Sequence, residues 1–382
     1  MTASAAPPLN RWHWLLPALV LAAGTLAVWI GDLDRLAATA FYVPGDPTGW
    51  PIGYEQPWRF LYRWAVLPAI LLGAGGLLGY AWGAWRPGGR PWRRAGLTIV
   101  LSLALGPLLL VNGVLHETWG RPRPRQVAEF RPAGAPGAKP FLPVLVPAWD
   151  RGAQSFPTGH AAGGFALMAL YFVWRGRRPG WAWGALGAGL ALGGATAVAR
   201  MAQGGHWLSD GLWSGGIVYF SAWAVARAFE GASPRRTGPL PRRPLWAAVA
   251  ALAAVAMCAG YLYSLPLLER VDRELPLPAG AHEVLLELSA PPGSLPATDI
   301  HTVAAPGTEV RIPAVHITVT RTGRGGPLTR LEDRWDPAPP QPGRLAGRYT
   351  VTATGYRKRQ TLEVWVTAPP DVHVAVLREG SK

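Results

Sequence analysis

Residues Ala95–Pro124 read AGLTIVLSLALGPLLLVNGVLHETWGRPRP. The first part, Ala95–Leu115, carries no charged residue and is as long as a helix must be to cross a bilayer. The second part turns at once to histidine and arginine. An apolar helix that ends in titratable and cationic side chains sets chemistry at a membrane face, where such residues are otherwise rare.

Six further apolar runs extend the pattern: Trp12–Ile30, Trp64–Trp85, Gly159–Trp174, Trp181–Val198, Trp207–Ala226 and Leu245–Leu265. Gly159–Trp174 is short, and its helix is expected to begin near Pro157. No small-residue cleavage site clearly follows Trp12–Ile30, so it reads as a retained first span and not as a removed leader. Hydrophobic residues make up 49% of the 382 positions and charged residues 15%, the balance of a membrane protein. Many of the 20 tryptophans sit at the ends of runs (Trp12, Trp14, Trp85, Trp174, Trp181, Trp246), where an amphipathic ring suits the headgroup layer.

The formal net charge is +15. Arginines cluster in short loops between runs, so bilayer orientation explains them, and no motif supports nucleic-acid binding. Arg86, Arg90, Arg93 and Arg94, then Arg175, Arg177 and Arg178, then Arg235, Arg236, Arg242 and Arg243 mark one side as cytoplasmic, together with Arg11. Segments 31–63, 116–158 and 199–206 then face outward, with everything after the seventh run. Arg121, Arg123, Arg125 and Arg131 break the charge rule on that outer side and invite a functional explanation. The single cysteine, Cys258, excludes an intrachain disulfide and a cysteine-built metal site.

The composition shifts from about Val271. Apolar and polar residues alternate in His282–Leu288, Val315–Thr320, Tyr349–Thr354, Thr361–Val366 and Val372–Val376, with Pro and Gly clusters between them. Period-two alternation with turn signals predicts a small β-sandwich or barrel. His282, His301, His316 and His373 are scattered there and read as ordinary surface or strand residues. The expected architecture is an all-α polytopic helical bundle of six spans over 1–230, a cytoplasmic loop and seventh span over 231–270, and an all-β extracytoplasmic domain over 271–382. That domain is expected to cover the active site, bind a cell-wall polymer or contact an envelope partner.

Three segments concentrate the polar residues of the membrane part. They are His116-Glu-Thr-Trp-Gly-Arg121-Pro-Arg123-Pro124, Phe156-Pro157-Thr158-Gly159-His160, and Ala199-Arg200 followed by His206 and Asp210. The orientation argument, made without them, places all three at one face. Arg123 and Arg200 offer planar forks that match phosphate oxygens. Thr158 offers a hydroxyl, and Gly159 lets backbone approach an oxyanion. His206 and Asp210 are four apart on a helix and share a face. A carboxylate bonded to one imidazole nitrogen would fix the tautomer and leave the other nitrogen to attack. His160 is then the general acid for the leaving group.

These segments resemble the signature of the type 2 phosphatidic acid phosphatase superfamily of membrane lipid phosphatases. That signature runs Lys, six residues, Arg-Pro; then Pro-Ser-Gly-His; then Ser-Arg, five residues, His, three residues, Asp. Arg123-Pro124 match the first part, Pro157, Gly159 and His160 the second, and Arg200, His206 and Asp210 the third. The resemblance covers spans one to six. Trp119–Pro124 and Pro147-Ala-Trp149 look similar to its bacterial branch.

The resemblance implies a covalent mechanism without metal or other cofactor: His206 as nucleophile forming a phosphohistidine, Asp210 orienting it, His160 as acid, and Arg123, Arg200, Thr158 and Gly159 holding phosphoryl oxygens. Three positions depart from the signature: His116 for Lys, Thr158 for Ser and Ala199 for Ser. His116 removes a fixed positive charge, for which Arg121 is a compensating candidate. The implied substrate is a phosphorylated lipid of a bacterial inner membrane, of the undecaprenyl diphosphate, phosphatidylglycerophosphate, lipid A or phosphatidic acid type. Two other readings stay open: phosphotransfer to a second lipid, and a catalytically impaired lipid-phosphate sensor or scaffold.

Overall fold

The computed structural model describes residues 8–86, 88–131, 137–150, 152–231, 244–289, 298–304, 314–354 and 357–378. The arginines at 235, 236, 242 and 243 lie outside these residues.

The chain divides into two compact units. One comprises the described residues of Met1–Tyr42 and Trp50–Tyr261. Its helices are α1 (Trp12–Ile30), α2 (Leu33–Thr39), α3 (Trp58–Trp64), α4 (Leu67–Trp85), α5 (Arg90–Leu103), α6 (His116–Thr118), α7 (Gly159–Phe165), α8 (Ala169–Trp174), α9 (Pro179–Ala202), α10 (Leu208–Gly231) and α11 (Pro244–Tyr263). Five stretches among the described residues are long and apolar enough to cross a membrane: Trp12–Ile30, Trp58–Trp85, Arg90–Thr118, Pro179–Ala202 and Pro244–Tyr263. The other two expected spans differ. Gly159–Trp174 is a shorter apolar helix, interrupted by a 3-10 turn at Ala166–Met168. Helix α10 is long but carries Ser209, Asp210, Ser214 and Ser221, all buried. It packs against α1, α5, α7 and α9, which cover these polar side chains.

Close backbone approach joins these helices. A Cβ on Gly164 of α7 would come within 2.7 Å of the Gly193 backbone of α9. Glycine at such a contact lets two helix axes meet, and it sets the His160-bearing helix beside the Arg200-bearing one. Between α5 and α6 the chain widens into a π-helix, Ala104–Leu115. Pro107 lies inside it and has no N–H for the ladder. Its carbonyl accepts from the Asn112 side chain at 2.6 Å.

The second unit joins the loop Val43–Gly49 to the described residues of Leu262–Lys382. Within it Arg270 pairs with Asp46 at 2.8 Å. Its strands are β1 (Leu265–Pro276), β2 (Glu283–Ser289), β3 (Thr298–Ala304), β4 (Ala314–Gly325), β5 (Arg330–Pro337), β6 (Arg344–Thr354), β7 (Arg357–Ala368) and β8 (His373–Arg378). They form two four-stranded sheets, ordered β1-β4-β7-β3 and β5-β6-β2-β8. Val284, Leu286, Tyr349 and Val351 from one sheet share a core with Val315, Ile317, Val319, Leu362, Val364 and Val366 from the other. This is a sandwich with inward apolar and outward polar positions alternating.

The domain boundary moves. Strand β1 starts at Leu265, six residues before Val271, and α11 belongs to the first unit. Leu265, Leu267 and Leu268 are buried apolar residues directly after an apolar helix, so hydropathy alone runs the two together.

Candidate functional site

The three polar segments meet at one end of the helical unit. His116 closes the π-helical stretch, Gly159 opens α7, Arg200 stands in the last turn of α9, and Asp210 in the first turn of α10. Trp207, 1% exposed, fastens the first segment to the third by donating from Nε1 to the Pro122 carbonyl at 2.7 Å. It packs edge-on against Phe141, within a cluster that includes Trp50, Val127 and Phe130. These tryptophans serve a core, whereas Trp12, Trp85 and Trp246 are exposed, as membrane anchors would be.

His206 is buried, and its Nδ1 lies 2.5 Å from the Ser155 carbonyl oxygen. A carbonyl can only accept, so Nδ1 carries the hydrogen and Nε2 keeps its lone pair. Among the described residues Nε2 has no hydrogen-bond partner. The Asp210 carboxylate is 3.7 Å from Nδ1. The expected direct bond between Asp210 and His206 is therefore corrected: the backbone of Ser155 fixes the tautomer. Asp210 is held beside the ring by other donors. Its Oδ2 accepts from the Ser155 hydroxyl at 2.5 Å and the Trp207 amide at 2.8 Å, and its Oδ1 from Arg121 at 2.6 Å.

Burial drives the His206 pKa down to about 3. The Asp210 carboxylate opposes that shift, while Arg200 and Arg123 reinforce it. The resting imidazole is neutral, the form a nucleophile needs.

Arg121 is corrected as a phosphate ligand. Its side chain is wholly enclosed and four of its N–H groups are taken. Nη1 donates to Asp210 and Ser209, Nη2 to Asp34 at 2.7 Å, and Nε to the Leu142 carbonyl at 3.0 Å. Asp34 also accepts from the Ser209 amide at 2.8 Å. Two carboxylates about one guanidinium satisfy one another in a buried place.

Arg123 and Arg200 stand differently. Arg123 donates from Nε to the Gln154 carbonyl at 3.0 Å, which leaves both terminal nitrogens without a partner among the described residues. Burial, with Arg125 and Arg200 nearby, lowers its pKa to about 9, so it stays cationic at neutral pH. Arg200 is buried, bonds Gln203 through Nη1, and has no partner at Nε among the described residues. Its guanidinium lies 4.7 Å from the Tyr62 ring centroid. The same ring stacks on His160 at 4.8 Å. Tyr62, on α3, thus links the general-acid candidate to an arginine.

Thr158 is fully buried, and its hydroxyl has no partner among the described residues. Ser214 holds the Thr158 carbonyl at 3.0 Å. A Cβ on Gly159 would meet the Asn112 side chain at 2.1 Å, so a larger residue there requires Asn112 to move. His116 bonds the Pro157 carbonyl through Nδ1 at 3.0 Å, and its ring centroid is 6.0 Å from that of His206.

The family model of the PAP2 superfamily matches residues 95–234. The match takes in every motif residue from His116 to Asp210 and omits Asp34 and Tyr62, which reach Arg121 and Arg200 from α2 and α3. A lipid A 4'-phosphatase of Francisella tularensis subsp. novicida (strain U112) is 38% identical over 136 residues, 35% of this chain and 58% of that protein. One of Rhizobium leguminosarum is 35% identical over 130 residues, 32% of this chain and 50% of that protein. The match thus spans 50–58% of the length of these two relatives. A solved structure, the PAP2-type phosphatidylglycerolphosphate phosphatase of Bacillus subtilis, aligns with a TM-score of 0.36 and 18% identity over 59% of this chain and 100% of that one.

Residues outside the three polar segments carry little signal in the sequence. Ser155 stands two residues before Pro157 and offers only a small hydroxyl. Asp34 is a carboxylate just past the first apolar run, and that position was its one signal. Nothing in the local pattern around Tyr62 marks it.

Proposed function

We propose that this chain is a membrane lipid phosphatase that works through a phosphohistidine at Nε2 of His206. The observation that carries the reading is the setting of that nitrogen. The neighbouring Nδ1–H is tied to the Ser155 carbonyl, the charges of Arg200 and Arg123 act on the same ring, and the Thr158 hydroxyl and the Arg200 Nε have no partner among the described residues.

In this reading Arg123 and Arg200 grip the non-bridging oxygens of a phosphate monoester, and Thr158 donates to one of them. Nε2 of His206 attacks phosphorus, and the bond from phosphorus to the lipid oxygen breaks. His160 gives its proton to that departing oxygen. The ring now carries phosphate at Nε2 and hydrogen at Nδ1, and is positive. Asp210, 3.7 Å away, offsets that charge. Water then attacks phosphorus, His160 takes its proton, the bond from nitrogen to phosphorus breaks, and inorganic phosphate leaves. No step needs a metal ion.

His116 contributes less than the lysine it replaces. Its Nδ1–H is bonded to a carbonyl, so its Nε2 donates to phosphate only when the ring is doubly protonated. Arg123 and Arg200 carry the fixed charge.

The substrate class we favour is the phosphate of a lipid A-type glycolipid. The motif-bearing segment is similar to proteins named lipid A 4'-phosphatase. We place the site at the outer face of a bacterial inner membrane, an orientation that the loop charges support.

The purified full chain is incubated separately with lipid A, phosphatidylglycerophosphate, undecaprenyl diphosphate and phosphatidic acid, and free phosphate is measured. Lipid A is expected to give the fastest release, and His206→Ala none. Equal release by wild type and His206→Ala removes the proposal. Faster release from another lipid reassigns the substrate and leaves the chemistry standing.

A further inference from the structure

At the end of the helical unit opposite His206, five arginines border one cavity. Helix α9 connects the two ends: it starts at Pro179, next to Arg178 on the cavity wall, and Arg200 lies in its last turn. Its 24 residues span about 36 Å. The cavity measures about 960 Å³ and is lined by Arg94, Arg175, Arg177, Arg178 and Arg227, with Glu230 the one acidic residue on the wall.

That carboxylate is already engaged. Glu230 pairs with Arg175, accepts from the Leu9 amide at 3.1 Å, and stands 4.0 Å from Arg227. Arg94 donates to the Phe229 carbonyl at 3.0 Å. Among the described residues no carboxylate pairs with Arg94, Arg177 or Arg178. Orientation by loop charge accounts for arginines at this end, but not for their gathering around a single volume. Five guanidiniums against one carboxylate repel one another there, and a multivalent anion relieves that repulsion.

An apolar groove of about 820 Å³ adjoins the cavity. It runs between α4 and α11 and is bordered by Leu78, Trp82, Trp85, Ala247 and Ala251. Trp92 borders both spaces. A cationic chamber beside an apolar groove matches the two ends of one amphiphile. A soluble anion would use the first and have nothing to place in the second.

We propose that an anionic glycerophospholipid occupies this pair of spaces, with its phosphate among the arginines and an acyl chain along α4 and α11. Basic pockets between membrane helices are general acceptors for such headgroups. No histidine or cysteine lines the cavity, so the lipid is held and not turned over. Bound there, it ties the ends of α5, α9 and α10 together, and a ligand that binds only the folded state stabilises it.

The full chain in nonionic detergent is stripped of lipid and titrated with phosphatidylglycerol, with phosphatidylcholine of the same acyl chains, and with glycerol phosphate. Bound lipid is counted by native mass spectrometry, and Tm is followed in parallel. Phosphatidylglycerol is expected to stay bound and raise Tm, and the other two to do neither. A triple variant, Arg94→Gln with Arg177→Gln and Arg178→Gln, should weaken phosphatidylglycerol binding at least tenfold. Arg123→Gln, at the candidate active site, should leave it unchanged. The single variants Arg177→Gln and Arg178→Gln, at exposed positions, should show the same direction with smaller losses, which covers failure of the triple variant to fold. Undiminished binding in the triple and single variants, or a loss confined to Arg123→Gln, overturns the proposal. Phosphatidylcholine binding as tight as phosphatidylglycerol overturns its electrostatic part. Competition by glycerol phosphate at the same concentration as the lipid overturns the lipid occupant in favour of a free phosphate ester.

Discussion

The carbonyl oxygen of Ser155 stands 2.5 Å from Nδ1 of His206, closer than any carboxylate does. The Ser155 hydroxyl reaches Asp210 at the same time. One residue therefore sets the tautomer of the imidazole with its backbone and places the neighbouring charge with its side chain. Ser155→Ala keeps the first contact and loses the second. A buried hydrogen bond to a charged group is worth about 1.5–3 kcal/mol, so kcat should fall by roughly 10- to 150-fold with KM little changed. Steady-state kinetics of phosphate release checks this; an unaltered kcat would mean that Asp210 is placed without Ser155.

Arg121 should report stability and not substrate affinity. Arg121→Met leaves Asp34 and Asp210 buried without their shared cation, a change that costs about 3–5 kcal/mol. Thermal unfolding in detergent should show a large drop in Tm. Asp34→Asn should lower Tm too, with KM near the wild-type value in the protein that folds. A raised KM with unchanged Tm in Arg121→Lys would return Arg121 to the phosphate.

Tyr62 acts through its ring faces. Tyr62→Phe keeps both the stack on His160 and the contact with Arg200, so activity should stay within a few-fold of wild type. Tyr62→Leu removes both. Aromatic and cation–π contacts of this kind are worth about 0.5–2 kcal/mol each, so kcat/KM should fall by roughly 5- to 900-fold. Equal activity of the two variants would make Tyr62 a bystander.

The pH dependence of stability follows from His206. The unfolded chain takes up a proton at this residue near its ordinary value of 6.5, and the folded chain only near 3. Between those values the unfolded state binds more protons, so stability is full above 6.5 and falls as pH drops toward 3. Unfolding midpoints measured from pH 7.5 to 4.5 should decline in wild type and less steeply in His206→Gln. Parallel curves for the two proteins would show that His206 is not the group involved.

Much of this was legible in the sequence because membrane helices follow one strong rule, apolar length. The three polar segments were legible because their spacing is tied to helix ends. What escaped has physical reasons. Asp34 and Ser155 act through contacts with chain remote in sequence, which no local pattern records. The run Trp207–Ala226 reads as a span, while the helix over it, α10, carries buried Ser209, Asp210, Ser214 and Ser221 that lower its apolar character. Strand β1 was hidden by the apolar helix running into it, and β3 and β5 carry weak alternation, with charged residues on both faces of β5. The partner of His206 was misassigned to Asp210 because side-chain spacing is visible in sequence and a backbone carbonyl is not.

The general acid and the phosphate grip separate by magnitude. His160→Ala should lower kcat by about 10²–10⁴, and Arg200→Ala by about 10²–10³ through loss of transition-state charge stabilisation. Substrates with a better leaving group should rescue His160→Ala and not Arg200→Ala. Rescue of both alike would remove His160 as the acid.

The proposed covalent intermediate can be tested for directly. Full-length protein is mixed with ³²P-labelled lipid phosphate, quenched in base within milliseconds and digested for mass spectrometry. The account predicts an acid-labile, base-stable phosphate on the peptide containing His206 in wild type, and none in His206→Ala. Turnover of the lipid with label on no histidine, or on His160 in place of His206, would contradict it.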